Sequence, residues 1–333
     1  MIIPFFIPHA GCPHQCVFCN QKKITGQHES LDATRLPQKI NEYLKNDSSD
    51  YPAQIAFYGG SFTALLLDTQ KSFLEAVRPF IRSGQIKSIR LSTRPDRISR
   101  EVLDLLSEYH VETIELGAQS MNDRVLMLSG RGHTEADTVH AVTLLEEYSF
   151  TVGLQLMPGL PGDSANGFLN TVNKAIALKP DFVRLYPTLV IKDTPLEELY
   201  HTGRYTPLSF DEAVSLCRDA LTRFEEKGIE VIRIGLQPTE ELLKPGTIVA
   251  GPYHPSFRQH VESSIFLDKM RAVLTGKVFP EHKAVIVVNP TDISASIGQQ
   301  RSNIGILKKE FSIRDIIILS DHNIPKKTLK LTE

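Results

Sequence analysis

Apolar residues recur in two alternating rhythms over roughly the first 190 positions of this chain. Compact apolar runs bounded by glycine, proline or polar clusters read as buried strands: Met1 to Pro8, Gln54 to Tyr58, Ile86 to Thr93, Val111 to Gln119, Phe150 to Leu156 and Phe182 to Pro187. Between them the apolar positions space out to one face of a helix. In 33–44 that face is Leu36, Ile40 and Leu44, and in 69–82 it is Phe73, Val77, Phe80 and Ile81. Further helices are predicted over 97–109, 123–128, 135–148 (with Thr134 as its cap) and 167–178. Strand and helix alternate about six times, which predicts an α/β protein with a parallel sheet. Such sheets place functional groups at the carboxyl ends of their strands, where loops converge. Ser92, Arg94, Gln119, Gln155 and Tyr186 all fall at or near those ends.

Beyond Ile191 simple repetition stops. A helix over 209–227 and a strand over 228–234 precede Pro245 to His260, a stretch suited to a substrate-side wall, with Tyr253, His254 and His260 as candidate proton donors or packing groups. From His282 the pattern reads strand (284–288), helix (292–297), Gly298-Gln-Gln-Arg301, helix (302–311) and strand (315–319). A short glycine turn between two helices is similar to the GXXG loop of KH-type RNA-binding units. Here Arg301 replaces the final glycine, and Lys308 and Lys309 add charge. A small capping subdomain with an ordinary helix turn is the other reading. The expected organisation is a core with its substrate-side extension over 1–270 (barrel about 1–190) and a small α/β subdomain over 280–333.

Composition narrows the class little. The chain has 333 residues, 41% hydrophobic and 23% charged, enough for a large catalytic domain plus a smaller unit. A net charge of −2 carries no global nucleic-acid signal, although a local basic patch is compatible with it. The apolar start lacks a basic leader, a cleavage site and the length to span a bilayer, so it is expected to be a first strand in a cytoplasmic protein without membrane contact. Reduced thiols are expected there.

The chemistry is concentrated in Cys12-Pro-His-Gln-Cys16-Val-Phe-Cys19, a C-x₃-C-x₂-C loop. Three thiolates on one tight loop suit an iron–sulfur cluster. On a four-iron cluster they leave one iron free to chelate a substrate or cofactor. Three cysteines with His9 or His14 also make a zinc set, although no second C-x₂-C pair exists in the chain. Cys217, far away on a predicted helix, reads as a small buried hydrophobe. Two glycines just past a strand, Gly59 and Gly60, let backbone approach a ligand closely.

The cysteine loop, directly after a short apolar run, resembles the radical S-adenosylmethionine (radical SAM) superfamily. Glu115-Leu-Gly-Ala-Gln-Ser-Met-Asn-Asp-Arg-Val-Leu, Gly130-Arg-Gly-His-Thr134, Ser92-Thr-Arg-Pro-Asp96, Met157-Pro-Gly-Leu-Pro-Gly162 and Tyr186-Pro-Thr-Leu-Val-Ile191 narrow the likeness further. They are similar to the branch holding the Elongator catalytic subunit and oxygen-independent coproporphyrinogen dehydrogenases. The resemblance covers roughly residues 1 to 270. It implies a partial (β/α)₆ barrel of the TIM-like type. It implies a [4Fe-4S] cluster on Cys12, Cys16 and Cys19, and S-adenosylmethionine (SAM) cleaved to a 5′-deoxyadenosyl radical that abstracts hydrogen from substrate. Gly59, Gly60 and Ser61 would bind the SAM amino group through backbone, although the family often has an acidic residue at the place of Ser61. Gln119, Arg131 and Gln155 would line the SAM site, Ser92 and Arg94 would lie near its ribose or carboxylate, and Phe18 would lie against its adenine. Reduced ferredoxin or flavodoxin is the implied electron donor.

Two departures limit the transfer of function. The Elongator subunit carries an acetyltransferase domain, and this chain is expected to stop short of one. Its cysteine loop is also generally longer. Acetyl transfer to tRNA uridine is therefore not carried over. On the glycine turn between the last two helices, RNA, with tRNA first, is placed ahead of a small molecule or porphyrinogen-like compound as the expected substrate, with a non-catalytic RNA-binding protein holding structural zinc as the alternative from another class.

Overall fold

The computed structural model describes residues 1–7, 9–27, 31–46, 51–279 and 282–332. Its twelve strands among those residues are β1 (Ile2–Phe6), β2 (Ala53–Tyr58), β3 (Ile86–Thr93), β4 (Val111–Gln119), β5 (Thr151–Leu156), β6 (Phe182–Leu185), β7 (Val190–Ile191), β8 (Glu230–Ile234), β9 (Ile248–Ala250), β10 (Lys283–Val288), β11 (Asp315–Ser320) and β12 (Leu329–Thr332). Seven of them form one parallel sheet in the order β1-β2-β3-β4-β5-β6-β8. The parallel α/β sheet expected from the alternation is present as the partial barrel that the resemblance implied, and β8 joins it as a seventh strand from beyond residue 190.

Pleating explains both faces of this sheet. Ile3, Phe5, Ile55, Phe57, Ile89, Leu91, Ile114, Leu116, Val152, Leu154, Val183 and Leu185 are buried in the core against the outer helices. The alternate positions turn the other way. Phe6, Tyr58, Ser92, Gln155, Arg184, Tyr186 and Arg233 keep partial exposure. The lumen they face is open.

Its curvature is visible in one contact. The Tyr58 hydroxyl of β2 lies 3.2 Å from Arg184 Nη2 of β6. Four strand spacings would hold those strands about 19 Å apart in a flat sheet. The sheet is therefore curled into an open half-barrel.

The helices follow local signals. Thr134 closes a capping box with Asp137 ahead of Glu135–Glu147, and Ser209 closes another with Glu212 ahead of Phe210–Glu226. The expected connection over 21–30 holds a one-turn helix, Gln21–Thr25, capped by Asn20, while 28–30 lie outside the described residues. Helix Phe257–Leu274 was not foreseen, for a physical reason. Phe257 and Val261 pack into the barrel core, while Phe266, Met270 and Leu274 enter a second core with Ala284, Ile286, Val288, Ile304, Leu307 and Ile316. Serving two cores scatters its apolar residues round the helix and blurs the one-sided stripe that marks a surface helix.

The second core belongs to a three-stranded sheet, β11-β10-β12, with β10 and β11 parallel and β12 antiparallel. The helices Ile293–Ile297 and Ser302–Glu310 flank Gly298-Gln-Gln-Arg301 as expected, and β12 is an addition to the sequence reading.

Candidate active site

The cysteine loop leaves β1 and is clamped from two sides. On one side, Ser61 N–H donates to Ala10 O at 2.9 Å, and a Cβ on Gly60 would run into Ile7 O and Ala10 O. Only glycine allows this approach, and Gly60 has φ +50. Gln21 ties the same parts: its Oε1 accepts from His9 N–H at 2.5 Å and from Gly60 N–H at 2.7 Å, while Gln21 N–H donates to His9 Nε2 at 3.1 Å.

On the other side lies Ser129-Gly-Arg131-Gly-His133. Val17 N–H donates to Ser129 O at 3.0 Å, and a Cβ on Gly132 would fall inside the His14 ring. Arg131 is buried and runs from this loop into the site. Its Nη1 lies 3.2 Å from Cys16 Sγ, and its Nη2 donates to Gly117 O. Gly117 is small because the guanidinium needs the room: a Cβ there would stand 3.2 Å from Arg131 Nη2 and 3.0 Å from Gln119 Nε2. Arg94, also buried, donates through Nη2 to Arg131 O and through Nε to Asp96 Oδ1 at 2.8 Å. It holds the Arg131 loop in place rather than standing free.

The three thiols share this electrostatic setting. Burial raises the Cys12 pKa, the Cys16 thiol adds to the rise, and Arg94 and Arg131 oppose it. Burial, then Cys16 and Cys12, push Cys19 up to about 12. Cys16 thus stands near both other thiols, with the Arg131 guanidinium beside it. Among the described residues no three His, Cys, Asp or Glu side chains are already gathered round one point. The donor set itself, three thiols on one loop, fits an iron–sulfur cluster. Of the histidines that a zinc set would recruit, His9 is tied to Gln21.

The strand ends deliver the remaining rim groups. Gln119 ends β4 at a register irregularity with φ +67, a backbone region non-glycine residues seldom adopt, and its buried Oε1 has no partner. Ser92 Oγ is likewise buried and unpartnered. His133 Nε2 lies 3.2 Å from Ala118 O, and burial, then Arg131 and Arg94, lowers its pKa to about 4. Ser61 turns its hydroxyl into a buried cluster with Thr93 (2.9 Å), and Thr63 completes the cluster. Its side chain is therefore used internally, leaving backbone as its means of contact.

Phe18 packs against the apolar cluster of Val190, Leu196 and Tyr205 and keeps partial exposure. Gln155 sits lower in the lumen, its Nε2 3.3 Å from Glu115 Oε2. His254 and His260 pack edge to face at 4.5 Å and both meet Phe210, while Tyr253 joins the cluster of Leu189, Ile191 and Leu242.

Sequence reasoning missed the lumen set. Glu115, fully buried on β4, faces Arg184 of β6 (Nε to Oε2, 2.7 Å), Arg90 of β3 (Nε to Oε1, 3.5 Å) and the Tyr58 hydroxyl (3.3 Å). The available signal was alternation: a charged residue at an inward position between two outward apolar residues, repeated on β3, β4 and β6.

Comparison with known proteins adds the following. A family profile described as the radical SAM superfamily matches residues 6–175, and one described as the radical SAM C-terminal domain matches 180–266. A tRNA uridine(34) acetyltransferase of Methanocaldococcus infernus is 27% identical over 249 residues, 62% of this chain and 46% of that protein. Heme chaperone HemW of Bacillus subtilis is 25% identical over 228 residues, 67% of this chain and 60% of that one. The chain thus spans about half the length of these relatives. The solved structure of M. infernus Elp3 with an N-terminal deletion superposes with a TM-score of 0.63 at 20% identity, covering 86% of this chain and 70% of that one, and shares the fold.

Proposed function

This chain belongs to the radical SAM superfamily, whose enzymes use a [4Fe-4S] cluster and SAM, and on that premise we propose that it generates its radical on the cysteine loop and directs it at RNA, with tRNA first. Bound there, cluster and SAM supply one-electron cleavage of SAM to a 5′-deoxyadenosyl radical, the hydrogen-abstracting species. The observation that carries the reading is the two-sided clamp, with Arg131 reaching from Gly117 to Cys16.

In this reading Cys12, Cys16 and Cys19 would hold the cluster. Backbone of Gly59, Gly60 and Ser61, with Gln119, Arg131 and Gln155, lines the SAM site. Ser92 would lie near the SAM ribose or carboxylate, Arg94 fixes Arg131, and Phe18 would lie against the adenine. The glycine clamp and the apolar packing under Phe18 keep these groups oriented and water away. Reduced ferredoxin or flavodoxin supplies the electron.

Support for RNA comes from two sides. One relative acts on tRNA uridine by its name. In addition, the Gly298-Gln-Gln-Arg301 turn meets the first half of helix Phe257–Leu274. Gly235, just after β8, packs on Phe257, and Gln259 one half-turn on bonds Gln299 at 3.3 Å. In this reading 280–333 is a separate small unit whose described residues pack on helix Phe257–Leu274. Acetyl transfer is left aside, because the chain covers less than half of that acetyltransferase.

The test is anaerobic. The protein is reconstituted with iron and sulfide, reduced and given SAM, and 5′-deoxyadenosine is quantified with and without bulk tRNA. Product that rises with tRNA supports the whole reading. Product indifferent to tRNA removes RNA and keeps the radical chemistry. A protein that binds no cluster ends the proposal.

A further inference from the structure

The lumen below the cysteine loop carries more positive charge than its fold needs. Glu115 is the acid at its centre, and both Arg90 and Arg184 converge on it. One carboxylate facing two guanidinium groups leaves an excess of one positive charge, in a place where unbalanced charge is costly. Arg90 is 9% exposed and Glu115 is 0% exposed.

The hydrogen bonding is also incomplete. Arg90 Nε is buried without a hydrogen-bond partner, at 3.5 Å from Glu115 and with Phe182 under its guanidinium at 5.5 Å. Arg184 Nε lies 2.7 Å from Glu115 Oε2 but out of line for a hydrogen bond. Two hydroxyls complete the wall, Tyr58 at 3.2 Å from Arg184 Nη2 and Tyr186 at 3.4 Å from Arg184 Nη1. Tyr58, Gln155, Arg184 and Tyr186 all remain partly exposed to the lumen. A planar fork of donors beside hydroxyls, on residues that keep partial exposure, has the chemistry of an oxyanion site.

We propose that Arg90 and Arg184, gathered round Glu115 with Tyr58 and Tyr186, form a subsite for an anionic oxygen group of the substrate, a phosphate or a carboxylate. The excess charge attracts the anion, the guanidinium edges orient it, and Glu115 keeps the two arginines apart and aligned when the subsite is empty. The strand ends lie directly above, so a substrate anchored by this anion would point its reacting part toward the cysteine loop. The proposal rests on the radical reading only in assigning the anion to the substrate; anion binding is measurable without turnover.

The reconstituted holoprotein is titrated calorimetrically with inorganic phosphate and, separately, with acetate, at ionic strength held constant with chloride. Wild type is expected to bind one equivalent of the preferred anion. Preference for phosphate marks a nucleotide-type group, and preference for acetate marks a carboxylic acid. Arg90→Met keeps the apolar stem and leaves the Arg184–Glu115 pair balanced, so it should fold and bind at least about tenfold more weakly, the loss of one desolvated charge contact. Arg90→Lys should recover part of that loss. Glu115→Gln removes the competing negative charge and should bind several-fold more tightly. A merely structural role for Glu115 does not predict that gain.

Equal affinity in wild type, Arg90→Met and Glu115→Gln, or no saturable binding of either anion, overturns the subsite. A wild type that binds phosphate yet releases no 5′-deoxyadenosine overturns the radical reading and leaves the subsite standing.

Discussion

The rim of the half-barrel and the lumen beneath it use the same strands in opposite ways. At the rim, side chains stand on loops that are gripped through backbone: Gly60 against Ile7 and Ala10, Gly132 against His14, Val17 on Ser129. In the lumen, side chains stand on the strands themselves and grip each other: Tyr58, Arg90, Glu115, Gln155 and Arg184 come from β2, β3, β4, β5 and β6. Loop positions can be shifted by a ligand, whereas strand positions are held by the sheet ladder. The difference separates a place where a cofactor can be seated by small adjustments from one where charge is pre-placed for whatever enters.

The largest effect should come from breaking the rim. Replacing Cys12, Cys16 and Cys19 together by alanine should abolish iron–sulfur absorbance and 5′-deoxyadenosine formation while leaving the helix content unchanged, because none of the three cysteines belongs to a packed apolar cluster. Circular dichroism beside the visible spectrum checks this, and a variant that still loads a cluster would refute the assignment.

Breaking the lumen should instead show in stability. Glu115→Ala leaves two buried arginines without their carboxylate and should cost about 3–5 kcal/mol. Urea unfolding measures it. A loss below about 1 kcal/mol would mean that water, rather than Glu115, balances these charges.

His133 sharpens the boundary between the two regions, since it sits on the rim loop but bonds the backbone of β4. Its folded pKa of about 4 is below the ordinary 6.5. The native state therefore resists the proton that the unfolded chain accepts. This contribution is complete above pH 6.5 and is lost as pH falls toward about 4, by at most about 3 kcal/mol. Urea midpoints of wild type and His133→Gln between these limits should diverge, with the wild type showing the steeper fall. Parallel curves would show that the ring takes up its proton in place.

The smallest effect is the control outside both regions. Ser209→Ala removes the capping box of Phe210–Glu226 and should cost about 1 kcal/mol with no change in cluster loading or anion affinity.

Legibility in the sequence divides along the same line. β3 and β4 occur over the residues that their apolar runs predicted, and the Thr134 cap was readable from one hydroxyl before an apolar run. The cysteine loop, Gly59-Gly60 and Gly-Arg-Gly-His133 were readable because each is a short contiguous string whose chemistry is carried by its own residue types. Helix Phe257–Leu274 was hidden by its two cores, and β8 was recognised as a strand without its place in the barrel.

What the sequence determined by itself, then, is periodicity and local chemistry: an apolar alternation of strand and helix, three thiols within one turn of chain, and glycines where no Cβ fits. What only the tertiary structure decided is which inward-facing residues meet. Arg90, Glu115 and Arg184 are 25 and 69 residues apart along the chain (115 − 90 and 184 − 115), and each alone reads as a charge in a strand. The curl of the sheet joins them, because side-chain direction is local but the neighbour across a lumen is set by strand order, register and curvature.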